Sequence, residues 1–361
     1  MKLVKLVPAF MVVGTMLLMA CGGSSTGGTT AGKKIALLLP ESKTARYESK
    51  DRPLFEAKLK SLCSNCTLIY SNANQDAPTQ QTQAEAAITN GANVIVLDPV
   101  DGAAAAAIVT KAKAANVPVI SYDRLILNTP DLNYYLSFDN AAVGALQGNA
   151  LITALGAKAT TATSIVMING DPADNNASLF KAGAHSVLDG KVTIAKEYDT
   201  PSWSPDKAQT EMAGAITALG KAKIGGVLAA NDGTGGGAIA AMKSAGITPL
   251  PPVTGQDAEL AAIQRILIGE QYMTVYKAIK AEAEAAAQLA YDLAYGVAVP
   301  ADMTKGKTTN NKAKDIPSVL LTPVPVTKST IQSTVVADGF WTKADICTAT
   351  YASACTAAGI S

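Results

Sequence analysis

From Lys34 onward the apolar and polar positions fall into two repeating patterns. Short aliphatic runs, Ile35–Leu39, Thr67–Tyr70, Val94–Leu97 and Val117–Tyr122, alternate with Ala-rich stretches of helical length such as Thr79–Thr89 and Ala103–Ala115. A second series follows, Ser164–Ile168, Val192–Tyr198, Gly226–Ala230 and Val253–Gln256, with Ala177–Leu188, Pro205–Leu219 and Gly236–Ala245 between its members. Runs that are apolar throughout suit strands buried on both faces. Their alternation with helical segments marks βαβ units and parallel sheets. Two such series predict an α/β chain with two doubly wound halves.

The start of the chain obeys a different pattern. Lys2 and Lys5 precede an apolar run to Ala20, followed by Cys21 and a Gly/Ser/Thr-rich stretch. A short basic head, an apolar run of about 15 residues and small residues before the cut describe an export signal at 1–20. Leu18-Met19-Ala20-Cys21 resembles a bacterial lipoprotein box, which makes Cys21 the expected lipidation site and 21–32 a flexible tether. Mean hydropathy is +0.18 and no second stretch is apolar enough to cross a bilayer, which excludes a multi-span transporter.

With 30 basic and 29 acidic residues there is no excess of positive charge to hold a nucleic acid. A single histidine, His185, excludes His-rich metal sites and any mechanism needing two imidazoles; it falls in a helical segment with no partner evident in the sequence. Beyond Cys21 the cysteines are Cys63, Cys66, Cys347 and Cys355. In an exported chain an even number reads as two disulfides, and the local pairs Cys63–Cys66 and Cys347–Cys355 are favoured over a redox CxxC or a zinc site.

Open parallel sheets bind ligands beyond the carboxyl ends of their strands. Five predicted strand ends carry polar groups: Asp123-Arg124, the segment Asn169–Asn176, Asn231-Asp232, Gln256-Asp257 and Lys277. Tyr47 and Trp203 lie near two further ends. Carboxylates that accept, cations that donate and aromatic faces together suit a sugar, whose hydroxyls need both roles and whose ring faces are nearly apolar. Lys50, Asp51 and Arg52 read as a solvated helix start. A competing pattern is Gly233-Thr234-Gly235-Gly236-Gly237-Ala238, which fits G-x-G-x-x-A after a strand, with Asp257 about 20 residues on, and would suit a dinucleotide-dependent oxidoreductase.

Ala45-Arg46-Tyr47, Lys50-Asp51-Arg52, Tyr122-Asp123-Arg124, Ser137–Asn140, Asp174–Ala177, Leu179-Phe180, Ala182-Gly183, Ser202-Trp203, Asn231-Asp232, Gly255–Ala258, Met273–Lys277 and Leu320–Pro323 occur in this order along the chain. In that order they resemble the periplasmic-binding-protein-like sugar receptors of ABC importers, most closely the D-xylose-binding members. The resemblance runs from about Lys34 to Phe340. It implies a type I periplasmic binding protein fold: two Rossmann-like lobes, 33–139 plus 278–320 and 140–277 plus 321–361, joined by three crossover strands. It implies a non-enzymatic, monomeric receptor without cofactor or metal that closes on a free monosaccharide and delivers it to a permease. D-xylose is the expected ligand, with arabinose, ribose, glucose, galactose or a sensing role as alternatives. By position, Arg46, Asp123, Arg124, Asp174, Asn176, Asn231, Asp257 and Lys277 would hydrogen-bond the sugar, and Tyr47 and Trp203 would stack on it. Tyr47 stands where these receptors usually have tryptophan.

Overall fold

The computed structural model describes residues 32–360. The expected export signal, Cys21 and the tether up to Ala31 lie outside the described residues. Twelve strands form among those that are described. They are β1 (Lys34–Leu39), β2 (Thr67–Asn72), β3 (Val94–Leu97), β4 (Val119–Tyr122), β5 (Tyr134–Phe138), β6 (Ser164–Asn169), β7 (Thr193–Asp199), β8 (Ile224–Ala229), β9 (Met273–Tyr276), β10 (Thr308–Asn310), β11 (Asp315–Leu321) and β12 (Val324–Thr327).

The first sheet has the order β10-β11-β5-β4-β3-β1-β2 and is parallel except at β10. β1, β3 and β4 carry no exposed side chain beyond Lys34, as wholly apolar runs require, because helices cover both faces. The second sheet is built on β7-β6-β8, all parallel. Residues 253–256 continue it only through single bridges, Val227 to Val253 and Gln256 to Val275, rather than as the strand the sequence suggests. These bridges lead on to the antiparallel pair β9-β12. The chain crosses between the sheets after β5, after β9 and after β11.

The glycine-rich segment is resolved against the dinucleotide reading. Gly233–Ala238 lies inside a helix, Asp232–Ser244, that starts four residues earlier than expected. Its glycines serve packing: a Cβ on Gly237 would lie 2.2 Å from the carbonyl oxygen of Pro205, and one on Gly235 would lie 3.1 Å from that of Thr254. No loop remains to wrap a pyrophosphate.

Both expected disulfides are present, Cys63–Cys66 and Cys347–Cys355. The segment after Phe340, which has no counterpart in the expected pattern, packs Ile346, Cys355 and Ile360 against Ile263, Ile266 and Tyr276. His185 does have partners: Nδ1 lies 2.8 Å from Asp189 and Nε2 lies 3.2 Å from Glu197.

Candidate ligand-binding site

The ten residues expected to bind ligand all line one cavity between the two sheets. They are Arg46, Tyr47, Asp123, Arg124, Asp174, Asn176, Trp203, Asn231, Asp257 and Lys277, and each is buried. Thr44, Phe180 and Gln256 complete the lining. About 260 Å³ of space not filled by protein atoms, including what opens to solvent, lies among these side chains.

Strand ends set the geometry. Asp123 follows β4 with φ 53°, a left-handed turn that brings its carboxylate beside Arg46 and leaves its carbonyl to accept from Asn176 across the sheets at 2.9 Å. Asp174 caps the helix Asn175–Leu188 by accepting from the Asn176 amide, and its other oxygen takes the Trp203 indole N–H at 3.2 Å. Asn231 caps the glycine-rich helix in a reciprocal box with Thr234. Asp257 has φ 88° and its amide donates to Val275, which fixes the carboxylate 3.0 Å from Lys277. Capping and cavity lining are therefore one task for Asp174 and Asn231.

The ionic groups form a linked set. Arg46 pairs with Asp51 at 2.7 Å, Glu282 at 2.6 Å, Asp123 at 3.2 Å and Asp257 at 3.9 Å. Arg124 lies 3.0 Å from Asp174 across the sheets and 3.6 Å from Asp98. Burial works against charge on Arg46, yet Asp123, Asp51 and Glu282 hold its pKa well above the ordinary value. Asp123 is desolvated too, but Arg46, Lys277 and Arg124 outweigh this and pull it down to about 2. Asp174 goes the other way, burial lifting it to about 6 despite Arg124. Behind the first layer, burial pushes Glu282 and Asp98 well above the carboxylate range even with Arg46 and Arg124 beside them.

The aromatic walls differ. Trp203 sits in a turn where Ser202 and Trp203 are both left-handed, at φ 61° and 51°. Its ring meets Phe180 edge-on at 6.3 Å and lies directly over Gly170. Tyr47 belongs to a wide helical turn, Tyr47–Asp51, and its hydroxyl donates to Asp123 and accepts from Arg124. A tyrosine there adds a polar contact that an indole at this place could not make.

Lys50 and Asp51 depart from the solvated reading. Asp51 is buried as the partner of Arg46 and accepts from the Tyr122 hydroxyl. Lys50 reaches the Phe340 carbonyl at 2.6 Å and stands 3.8 Å over the Trp341 ring. Arg52 is half-buried, beside Glu48 and over the Tyr70 ring. Phe180 and Gln256 stood in the sequence as members of the matching segments, without a binding role of their own.

Two α/β halves, three crossovers and a polar cavity closed between the halves define a type I periplasmic binding protein. The chain belongs to that family: the periplasmic binding protein domain matches residues 35–297, and its similar proteins lie among the sugar receptors. The D-xylose-binding periplasmic protein of Escherichia coli is 38% identical over 318 residues, covering 87% of this chain and 92% of that protein. The multiple sugar-binding periplasmic receptor ChvE of Rhizobium radiobacter is 32% identical, covering 96% and 99%. Among solved structures, an ABC transporter solute-binding protein of Clostridium phytofermentans with bound β-D-glucose is 28% identical with a TM-score of 0.79, covering 87% of this chain and all of that one. These relatives are transport proteins of the exported, periplasmic class and not enzymes.

Proposed function

We propose that the cavity captures a free, uncharged monosaccharide and that D-xylose is its preferred ligand. One observation carries this reading. The lining presents three cations, Arg46, Arg124 and Lys277, and three carboxylates, Asp123, Asp174 and Asp257, all buried around one space. A neutral polyol leaves that charge balance intact while its hydroxyls both donate and accept. Trp203 and Phe180 offer the apolar wall that ring C–H groups need. The likeness to the D-xylose-binding proteins supports xylose. The likeness to a multiple sugar-binding receptor and to a glucose-bound structure favours, as a second reading, a broader aldose range.

The lobes are then 33–139 plus 278–320 and 140–277 plus 321–361, and the described form is the closed one. Sugar holds that form because only there do both lobes reach it. The closed receptor hands its cargo to an ABC permease from a lipid anchor at Cys21. Calorimetric titration of residues 33–361 against D-xylose, L-arabinose, D-ribose, D-glucose and D-galactose tests the ligand, with the tightest binding expected for D-xylose. A panel without any heat of binding would remove the sugar reading, and a hexose binding more tightly would remove the xylose assignment. Loss of membrane association in a Cys21→Ser variant tests the anchor.

A further inference from the structure

At the mouth of the cleft, Gln75 donates from Nε2 to Asp171 Oδ2 at 3.1 Å, and that same oxygen accepts the Ser202 amide. Gln75 follows β2, whereas Asp171 follows β6. Sheet order places this contact far from the crossovers. β2 is the edge strand opposite β5 and β11, where two crossovers leave, and β6 is separated from β9 and β12 by β8 and residues 253–256. The Gly102 amide, after β3, donates to the Ala173 carbonyl beside it at 3.2 Å. A rotation about the crossovers separates these rims first and most.

The loop that carries Gln75 is held in an unfavourable shape. Asn74 and Gln75 both have left-handed backbones, at φ 49° and 65°, pinned by the Gln75 amide donating to Pro40 at 2.7 Å. Strain of this kind persists only where the surroundings enforce it. Across the cleft, Asp171 Oδ1 accepts the Ala173 amide at 2.8 Å, so one buried carboxylate orders both its own loop and the turn that presents Trp203.

We propose that Gln75 is a rim latch, a positioning residue that touches no ligand but ties closure to the seating of Trp203 through Asp171. The proposal rests on the closing-receptor reading above and adds a residue outside the cavity lining. When the rims meet, Gln75 adds a second donor to the carboxylate oxygen that fixes Ser202. Closure then braces the turn that presents the aromatic wall.

The test uses Gln75→Ala and Gln75→Glu in residues 33–361, with D-xylose as the probe. Stopped-flow fluorescence should show release about tenfold faster in Gln75→Ala, with association within twofold of wild type. The ranking among the five sugars should be unchanged, and the ligand-free melting temperature should stay within a degree or so. Gln75→Glu, which sets two carboxylates against each other, should release faster still. Release within twofold of wild type in both variants would overturn the latch, and so would a changed sugar ranking. Pulsed EPR between labels at exposed Thr82 and Ser178 reads closure directly: the short-distance population, with or without sugar, should fall in Gln75→Ala. Wild type that binds no sugar would sink the ligand reading alone. The latch would then stand or fall on that population.

Discussion

Gly170 is the floor on which Trp203 rests, and replacing it with alanine should damage binding without touching the ligand. A Cβ at this position would lie 2.0, 2.2 and 2.5 Å from three atoms of the indole ring. Carbon atoms settle at about 3.5–4.0 Å, so the ring must retreat by roughly 1.5 Å or turn out of its seat. It cannot turn freely, because the indole N–H is held by Asp174 and the ring edge by Phe180. Overpacking a fixed site costs about 1–3 kcal/mol. Loss of the edge-on aromatic contact adds about 0.5–1.5 kcal/mol. Since the displaced wall is part of the closed, ligand-bound form, the expected result is a fall in D-xylose affinity of about tenfold to a thousandfold. Calorimetry measures the affinity. Trp203 fluorescence in a Trp341→Phe background, which leaves a single indole, reports whether the ring has moved. A Gly170→Ala protein with an unshifted emission maximum and an affinity within twofold of the parent would refute the reasoning.

Two further outcomes are expected. Asp257→Asn keeps the shape but leaves Lys277 with less opposing charge. It should weaken sugar binding at least tenfold, as seen by calorimetry, and it should narrow the discrimination of the parent protein against the anion D-xylonate, which adds an uncompensated charge to a buried site. Held closed by saturating sugar, the protein should be most stable at mildly acidic pH. Burial raises Asp174 to about 6, Asp232 to about 7 and Glu259 to about 8, the last also through Asp232 and Asp257. Each group therefore contributes stability that is complete below the unfolded carboxylate value of about 4 and is lost as pH rises through the folded value. Asp123, held at about 2, contributes in the opposite sense, but only at pH below about 4. Calorimetric melting should then show a falling melting temperature from pH 5 to pH 8, flattened in Asp232→Asn and Glu259→Gln variants; a flat or rising profile in the parent would contradict the assignment.

The sequence carried the site further than it carried the fold. Asp123, Asp174, Asn231, Asp257 and Lys277 were visible because five polar strand ends in one chain form a pattern, whereas Asp or Asn at any single one reads equally well as a helix cap. Phe180 stood in a matching segment but drew no binding role, since an apolar residue inside a helical run reads as core. β5 and the helix Asn140–Leu155 escaped for a related reason: the strand is short, and the helix carries Gly144 and Gly148, poor helix formers whose use is tertiary. A Cβ on Gly144 would lie 1.9 Å from the Phe180 carbonyl oxygen. The same logic misplaced the start of the glycine-rich helix at Gly236. Lys50 misled in another way. Its partners Phe340 and Trp341 are almost three hundred residues away, a distance no local pattern spans.

The ion set that spans the sheets also bears on how the molecule reports what it holds. Arg124 meets Asp174, and Lys277 meets Asp123, across the two halves. On the closing-receptor reading proposed above, at an intermediate angle Asp174 would already be losing water before Arg124, the cation that offsets its burial, came within reach, and that condition is the costly one. Halfway positions would then be crossed rather than occupied. A downstream partner would meet two outlines and nothing between them, so that the abundance of sugar would be written in how many molecules have snapped shut and never in how far any one of them has moved.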